Sequence, residues 1–151
     1  MTAHRHSVRR PNLIVHLLSS VFIRFAVDEK DEESLVPVGV FHALRKLEDS
    51  GVLGEAETAV AKQHYQWFKD NLKAPTKFTR SKSKAPYRKK RKAISWFKDT
   101  AAEHLRRLRD INAILEQHDF RVRMITTDRP GYIVYEDDFQ VAAEPFADTP
   151  V

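Results

Sequence analysis

The alternation of apolar and polar residues along the chain predicts strands near both ends and helices between them. The stretch VFIRFAVD is rich in β-branched and aromatic residues, with Arg24 as its only charge before Asp28, and predicts a first strand over residues 20–27. An acidic loop is expected at 28–34. Near the C-terminus, FRVRMITT, YIVYE and FQVAAEPF predict three further strands, joined by the turn RPG and the pair DD. These three strands are expected to form a meander.

Three segments in the middle of the chain place apolar residues at helical spacing. The first, around 40–47, ends before Gly51, a residue type that commonly terminates helices. The second spans about 54–72 and stops before Pro75. The third runs from about 100 to 118, where Thr100 and Glu103 have the spacing of a capping box. Before it, AISWF at 93–97 predicts a short strand or the lead-in to that helix.

This order of elements does not alternate strictly between strand and helix, which favours an α+β fold. We predict a small antiparallel sheet, made of the N-terminal strand and the C-terminal three-stranded meander, packed against about three helices. A chain of 151 residues fits one domain. We expect that domain over 19–147, preceded by a disordered basic tail over 1–18 and containing a basic loop over 74–92.

Composition excludes several kinds of chemistry. The chain has no cysteine, so disulfides, thiolate metal sites and cysteine nucleophiles are excluded. It has four glycines and neither a P-loop nor a G-x-G-x-x-G motif, so no nucleotide cofactor is predicted. The apolar stretch at 13–27 is too short and too interrupted to span a bilayer, and no cleavage site follows it. We therefore expect a cytoplasmic protein without a membrane partner.

Positive charge is concentrated in one window. The chain has 26 basic and 21 acidic residues, a net charge of +5. Eleven basic residues and no acidic one lie between Asp70 and Asp99, so the rest of the chain has 15 basic against 21 acidic residues, a net charge of −6. The sequence therefore predicts a mildly acidic body with one strongly basic loop.

Such a loop can neutralise phosphates, and aromatic residues among and beside its charges could stack bases of a single strand. We predict that nucleic acid contacts the loop through Lys77, Arg80, Lys82, Lys84, Tyr87, Arg88, Lys89, Lys90, Arg91 and Lys92. The protein is then a small accessory or regulatory binding module. One alternative is an interaction module whose loop docks on an acidic protein partner. Another is a solvated connection without a ligand.

A further alternative is a magnesium-dependent enzyme that processes nucleic acid. Carboxylates at strand ends can hold metal ions that clamp the attacking and leaving oxygens of a phosphodiester. Asp28 and Glu136 are the candidates for that task, and His104, on the helix that follows the basic loop, is the candidate general acid–base. Each also has an ordinary structural explanation, because acidic residues are common in loops and turns. No metal site is predicted from spacing. The aromatic pairs Trp67/Phe68 and Trp96/Phe97 are expected to be core anchors that flank the loop.

Overall fold

The computed structural model of the chain describes residues 20–30, 37–75 and 93–151. The described elements are, in chain order, β1 (Phe22–Lys30), β2 (Pro37–Gly39), α1 (Val40–Asp49), α2 (Glu55–Asn71), β3 (Ile94–Lys98), α3 (Ala102–Gln117), β4 (Val122–Thr127), β5 (Tyr132–Glu136) and β6 (Gln140–Glu144). The predicted tail over 1–18 and all ten predicted nucleic-acid-binding residues lie outside the described ranges. We call residues 76–92 the basic segment.

β1 is the strand around which the sheet is built. One of its edges pairs with β4, in a register that runs from Phe22–Thr127 to Val27–Val122. Its other edge is shared, with β3 opposite its first residues and β2 opposite its later ones. The sheet continues from β3 to β6 and from β6 to β5, and every pairing is antiparallel. The strand order is therefore β4-β1-β3-β6-β5, with β2 as a short extension beside β1.

The predicted α+β fold is confirmed, with the N-terminal and C-terminal strands in one antiparallel sheet packed against three described helices. Within the C-terminal part, β5 and β6 form a hairpin, whereas β4 pairs with β1. β3 and β4 both run antiparallel to β1 and are therefore parallel to each other. Parallel strands need a crossover connection. α3 provides it, and the unit β3-α3-β4 is a split βαβ motif with β1 between its strands.

The helices cover one face of the sheet. Alternate residues of a strand point to opposite faces, and Phe25 and Val27 of β1 join the larger core with the buried stripes of the helices. In α1 that stripe includes Leu44, and in α3 it includes Leu108 and Leu115, all of them essentially inaccessible. α1 ends as predicted, with Gly51 in the left-handed region at φ 76°.

The opposite face of the sheet is also buried. A second cluster contains Phe22, Ala26, Ile94, Trp96, Ile125 and Val141, all from strands. We call this the second face. Strands that are buried on both sides have nearly continuous apolar sequences, which explains the composition of FIRFAV in β1. Arg24 is the exception, and its guanidinium donates a hydrogen bond of 2.6 Å to the Pro37 carbonyl. Burial, and secondarily the charge of Arg123, lowers the pKa of Arg24.

Histidines connect α2 and α3, which lie antiparallel. Three polar contacts follow the seam: His118 Nε2 to Glu57 Oε2 at 2.8 Å, His64 Nε2 to Asp110 Oδ2 at 3.4 Å, and His104 Nε2 to the Asn71 carbonyl at 3.0 Å. The α2 positions are seven residues apart, which is about two helical turns. Burial lowers the pKa of His64 below its ordinary 6.5, although the Asp110 carboxylate opposes this shift. These imidazoles therefore have a structural task between two helices.

The predicted capping box at Thr100 and Glu103 is wrong. α3 begins at Ala102, after Ala101, and no side chain caps it. Glu103 instead accepts hydrogen bonds of 2.7 Å from Arg106 and 2.9 Å from Arg107, because side chains three and four residues apart share a helix face. These bonds, with Arg106 contributing most, lower the pKa of Glu103 to about 2.

None of the helices in the described ranges has both the length and the apolar composition that crossing a membrane requires. The described residues consist of the antiparallel sheet, the three helices packed on it and their connections.

Among the four glycines, Gly131, just before β5, is the one at which a side chain is least tolerated. Its φ is 129°, and a Cβ would collide with the Glu144 carbonyl oxygen and stand 2.9 Å from the Pro145 Cα. We expect Gly131→Ala to lower the free energy of unfolding by about 3 kcal/mol, because backbone on β6 has to move. Gly39→Ala, with φ −73° and nothing within 4 Å, is the control and should cost at most about 1 kcal/mol. Urea unfolding of both variants measures the difference, and equal losses would contradict the steric argument.

Candidate functional site

The three predicted catalytic residues do not come together. Asp28 accepts ion-pair contacts from Arg123 at 2.7 Å and Arg121 at 3.5 Å. Glu136 pairs with Lys98 at 3.1 Å. Lys98 lies opposite Phe22 at the start of β1, whereas Asp28 lies six residues further along that strand, roughly 20 Å away. His104 belongs to the helix layer. Within the ranges that the structure describes, no group of three or more His, Asp or Glu side chains could hold a metal ion.

His104 is instead the centre of an aromatic cluster. Four rings surround the imidazole: Phe139 at 4.4 Å, Trp67 at 4.7 Å, Phe68 at 5.9 Å and Phe97 at 6.1 Å between ring centroids. The His104 side chain is 4% exposed, and its Nε2 faces the carbonyl of Asn71, the last residue of α2. We call these five residues the aromatic cluster. Its geometry packs the end of α2 against the start of α3, and the buried imidazole is not accessible to a substrate.

The outer side of the aromatic cluster faces solvent. Phe139 is 40% exposed, although one side of its ring lies on His104 at an interplanar angle of 31°. The guanidinium of Arg107 lies 4.5 Å from the centre of the Trp67 ring, which is a cation–π distance. An exposed ring held by its neighbour, and a cation beside another ring of the same cluster, are the kinds of group that contact a stacked base and its phosphate.

The link between β5 and β6 holds Phe139 in place. One carboxylate oxygen of Asp137 accepts hydrogen bonds from the backbone amides of Phe139 and Gln140 at 2.9 and 3.0 Å. The other accepts a bond of 2.8 Å from the Tyr135 hydroxyl. Burial opposes ionisation of Asp137, but these bonds outweigh it, so the pKa of Asp137 lies below its ordinary 3.8. A short side chain that bonds the backbone two residues on is a standard turn device.

Gln140 connects this turn to the root of the basic segment. Its amide nitrogen donates to the Lys73 carbonyl at 2.7 Å and to Asp137 at 3.1 Å, and its side chain is buried. Lys73 is three residues from the start of the basic segment. The chain therefore leaves the described part of the fold immediately beside the aromatic cluster.

The basic segment is longer than its connection requires. The chain leaves next to Gln140, which pairs with Phe97, and returns next to Ile94, which pairs with Ala143. Three residues of β6 separate these positions, or about 10 Å. The 17 residues of 76–92 can reach about 55 Å when extended. Closing the fold therefore does not account for the length of the segment.

Many basic side chains outside the basic segment form ion pairs with carboxylates. Besides the pairs of Glu103 and Asp28, Arg129 lies 3.4 Å from Asp148 and Arg106 lies 3.7 Å from Asp110. The basic segment carries nine Lys or Arg residues and no acidic residue. Positive charge that is not neutralised by its sequence neighbours is thus concentrated there.

Sequence reasoning located the anchors of the basic segment but not the cluster that they form. Phe68 is buried as expected, and Phe97 packs against the same core. Trp96 is fully buried, as expected of a core anchor, but it lies on the second face rather than beside Phe68. The contacts that join Asp137, Phe139 and Gln140 to this cluster were not predicted. The available signal was the turn-forming aspartate two positions before Phe139, because an aspartate side chain commonly bonds the backbone two residues on.

Comparison with known proteins adds no further constraint: the chain matches no family model, no curated protein and no solved structure.

The packing of His104 can be separated from a catalytic use. We expect His104→Ala to lower the free energy of unfolding by about 3 kcal/mol, because a cavity opens among four rings. His104→Phe keeps a ring there and loses only the contact with the Asn71 carbonyl, so it should cost about 1 kcal/mol. His42→Ala, at an exposed position of α1, is the control and should be neutral. Urea unfolding measures all three, and an unchanged stability of His104→Ala would contradict this structural role.

Proposed function

We propose that this protein is a small accessory or regulatory module that binds single-stranded nucleic acid. The basic segment neutralises phosphates, and the exposed ring of Phe139 stacks a base. The observation that carries the proposal is the position of the aromatic cluster at the root of the basic segment, where Gln140 bonds the Lys73 carbonyl. A charged groove or segment combined with aromatic platforms is the usual composition of sites that bind single strands without sequence preference.

Two features of the described residues favour this function over the alternatives. Asp28 and Glu136 are each held by basic side chains and lie far apart along the sheet, so they do not support two-metal cleavage. An acidic protein partner would use the charge of the basic segment but would have no need for the exposed aromatic ring of Phe139 in the aromatic cluster. Binding of a single strand, with its phosphates on the basic segment and one base stacked on Phe139, accounts for both the charge and the exposed ring.

Neutralising the basic segment should weaken binding in a salt-dependent way. The variant replaces five cations with glutamine: Arg88, Lys89, Lys90, Arg91 and Lys92. We expect affinity for a fluorescent single strand of mixed sequence to fall at least about tenfold at low salt, and the slope of log affinity against log salt to flatten by up to about 3.5. Fluorescence anisotropy over a salt series gives both values.

The matched control removes the same charge from exposed positions of the body, by substituting Arg45, Lys62, Lys69, Arg109 and Arg121 with glutamine. It should retain most of the affinity. Equal losses in both variants would indicate attraction to net charge alone. Comparable binding of poly-glutamate would contradict the proposal and favour an acidic protein partner. Magnesium-dependent loss of the bound strand, abolished by Glu136→Gln, would favour the enzyme.

Phe139 provides the test of stacking. We expect Phe139→Ala to weaken single-strand binding about 5- to 150-fold, because one base–aromatic stack contributes about 1–3 kcal/mol. Phe139→Tyr, which keeps the ring, should bind like the parent. Phe146→Ala is a closely matched control, since Phe146 is 39% exposed against 40% for Phe139 and lies beside Arg129 rather than in the aromatic cluster.

The same variants should be tested on the corresponding duplex, in which bases are not free to stack on a side chain. A Phe139→Ala effect of equal size on both forms would contradict stacking. If Phe139→Ala changed the affinity for neither the single strand nor the duplex, the protein would contact only phosphates.

A further inference from the structure

The strands at the margins of the sheet differ in how well they are protected from pairing with another strand. Among the described residues, β2, β4 and β5 each pair with one strand only. β2 has three residues and begins with Pro37, and β5 has a bulge between Ile133 and Tyr135. Short strands, proline and bulges are the usual devices that prevent pairing at an edge. β4 has none of these devices, since its residues VRMITT pair with β1 without a register shift.

The free edge of β4 presents a defined set of hydrogen-bonding groups. The β1–β4 register continues to Asp28 opposite Arg121, and the Asp28 amide donates to the Arg121 carbonyl at 3.3 Å. This is a hydrogen-bonded pair of an antiparallel ladder, and such pairs recur at every second residue. The odd-numbered residues of β4 therefore bond β1. The backbone amides and carbonyls of Val122, Met124 and Thr126 point away from β1, toward the free edge.

Met124 is the central residue of this set and is 59% exposed. It lies opposite Phe25 of the helix-side core, so it is on the face that the helices cover. Its exposure shows that the helix layer stops short of the free edge and leaves room there for a further strand. An unpaired charge on an edge strand also discourages pairing. The charge of Arg123, the neighbour of Met124, is instead neutralised by Asp28 at 2.7 Å.

We propose that the free edge of β4 pairs with the same edge of a second copy of this chain, so that the two sheets join into one. A two-fold axis perpendicular to the sheet keeps every side chain on its own face, as opposite residues of an antiparallel ladder require. Centring the axis on Met124 pairs Met124 with Met124 of the second copy. The same register pairs Val122 with Thr126 of the second copy, and each such pair exchanges two hydrogen bonds.

Two features favour a second copy over an unrelated strand. The donors and acceptors of the free edge are placed symmetrically about Met124, so the edge is complementary to itself. The two ends of β4 also differ in charge, because the Arg121 side chain before it is 82% exposed and Asp128 after it is exposed. An antiparallel copy brings each end beside the oppositely charged one, which stabilises the pairing.

The proposal is independent of nucleic-acid binding. In the strand order β4-β1-β3-β6-β5, the β5–β6 link that carries Phe139 lies at the opposite margin from β4. Either proposal can therefore fail without the other.

The oligomeric state tests the pairing. We expect sedimentation equilibrium of the full-length protein to show a reversible dimer over a concentration series. Met124→Lys sets two lysines against each other, and like charges directly opposite are destabilising, so the dissociation constant should rise at least about tenfold. Val52→Lys is the matched control, since Val52 is 57% exposed and lies between α1 and α2, and it should leave the dimer unchanged. A single-chain mass throughout the series, or equal effects of the two substitutions, would overturn the proposal.

Cysteine cross-linking tests the register. The chain has no cysteine, so each variant carries a single thiol. The Cα atoms of a hydrogen-bonded pair are about 5.5 Å apart, within the span of a disulfide, so Met124→Cys should form a linked dimer under mild oxidation. Thr126→Cys alone should not, because its two copies are offset by four residues, about 13 Å along the strand. A mixture of Val122→Cys and Thr126→Cys proteins should link as heterodimers.

Urea unfolding establishes that each cysteine variant is folded like the parent. Failure of a folded Met124→Cys protein to cross-link would overturn the proposal. Linking of Thr126→Cys alone at the same rate would refute the register. Equal linking of Val52→Cys would also overturn the proposal, because it would show random encounters of exposed thiols.

Discussion

The pairing of β1 with three other strands is the constraint on which the rest of the structure depends. β1 bonds β4 along one edge and divides the other edge between β3 and β2. β1 is a central strand with paired neighbours on both edges, and the side chains on both of its faces are buried. Alternate residues of FIRFAV therefore belong to different cores, Phe25 and Val27 to the helix side and Phe22 and Ala26 to the second face. A polar residue is tolerated only at Arg24, which reaches the Pro37 carbonyl.

The helix layer converts this sheet into a support for the aromatic cluster. The antiparallel seam between α2 and α3 ends at the contact of His104 with the last residue of α2. The β5–β6 link supplies the opposite wall, where Asp137 fixes the turn and Gln140 ties it to Lys73. Two independent sets of hydrogen bonds thus converge where the chain enters the basic segment. The helices and strands that hold the aromatic cluster form a rigid scaffold, and the basic segment is a connection attached beside it. Binding residues are commonly found on connections between elements of a rigid scaffold.

Local features of the fold could be predicted from the sequence because they depend on short-range physics. The helical stripes and Gly51 are examples, since periodicity and backbone freedom act within a few residues. Strand order could not be predicted, because a period of two shows which side chains share a face but not which strands are neighbours. Trp96 and Phe97 are adjacent in sequence yet lie on opposite faces. The alternation in FRVRMITT predicts that Met124 lies on the buried face of β4 with Val122, whereas Met124 is 59% exposed and Ile125 is buried.

The candidate site was harder to predict for a related reason. Asp28 and Glu136 carry the right functional groups, but their partners, Arg123 and Lys98, come from other strands, and only the sheet register brings them together. Thr100 and Glu103 had the right spacing for a cap, but α3 begins two residues after Thr100. The cluster around His104 combines rings from two helices, from β3 and from the β5–β6 link. No local pattern contains that information.

The pairing of β1 with β4 has a consequence for how the chain folds. Phe22 pairs with Thr127 and Val27 with Val122, so β1 is synthesised long before the strand that satisfies one of its edges. Contacts between such distant positions slow folding, because the entropy of closing the intervening chain is lost before they form. During synthesis, an apolar strand with free hydrogen-bonding edges is exposed, and such strands are prone to pair with other chains. The contacts between α2 and α3 are closer in sequence than those of the β1–β4 ladder, so this helix pair can form before that ladder and bring β4 to β1.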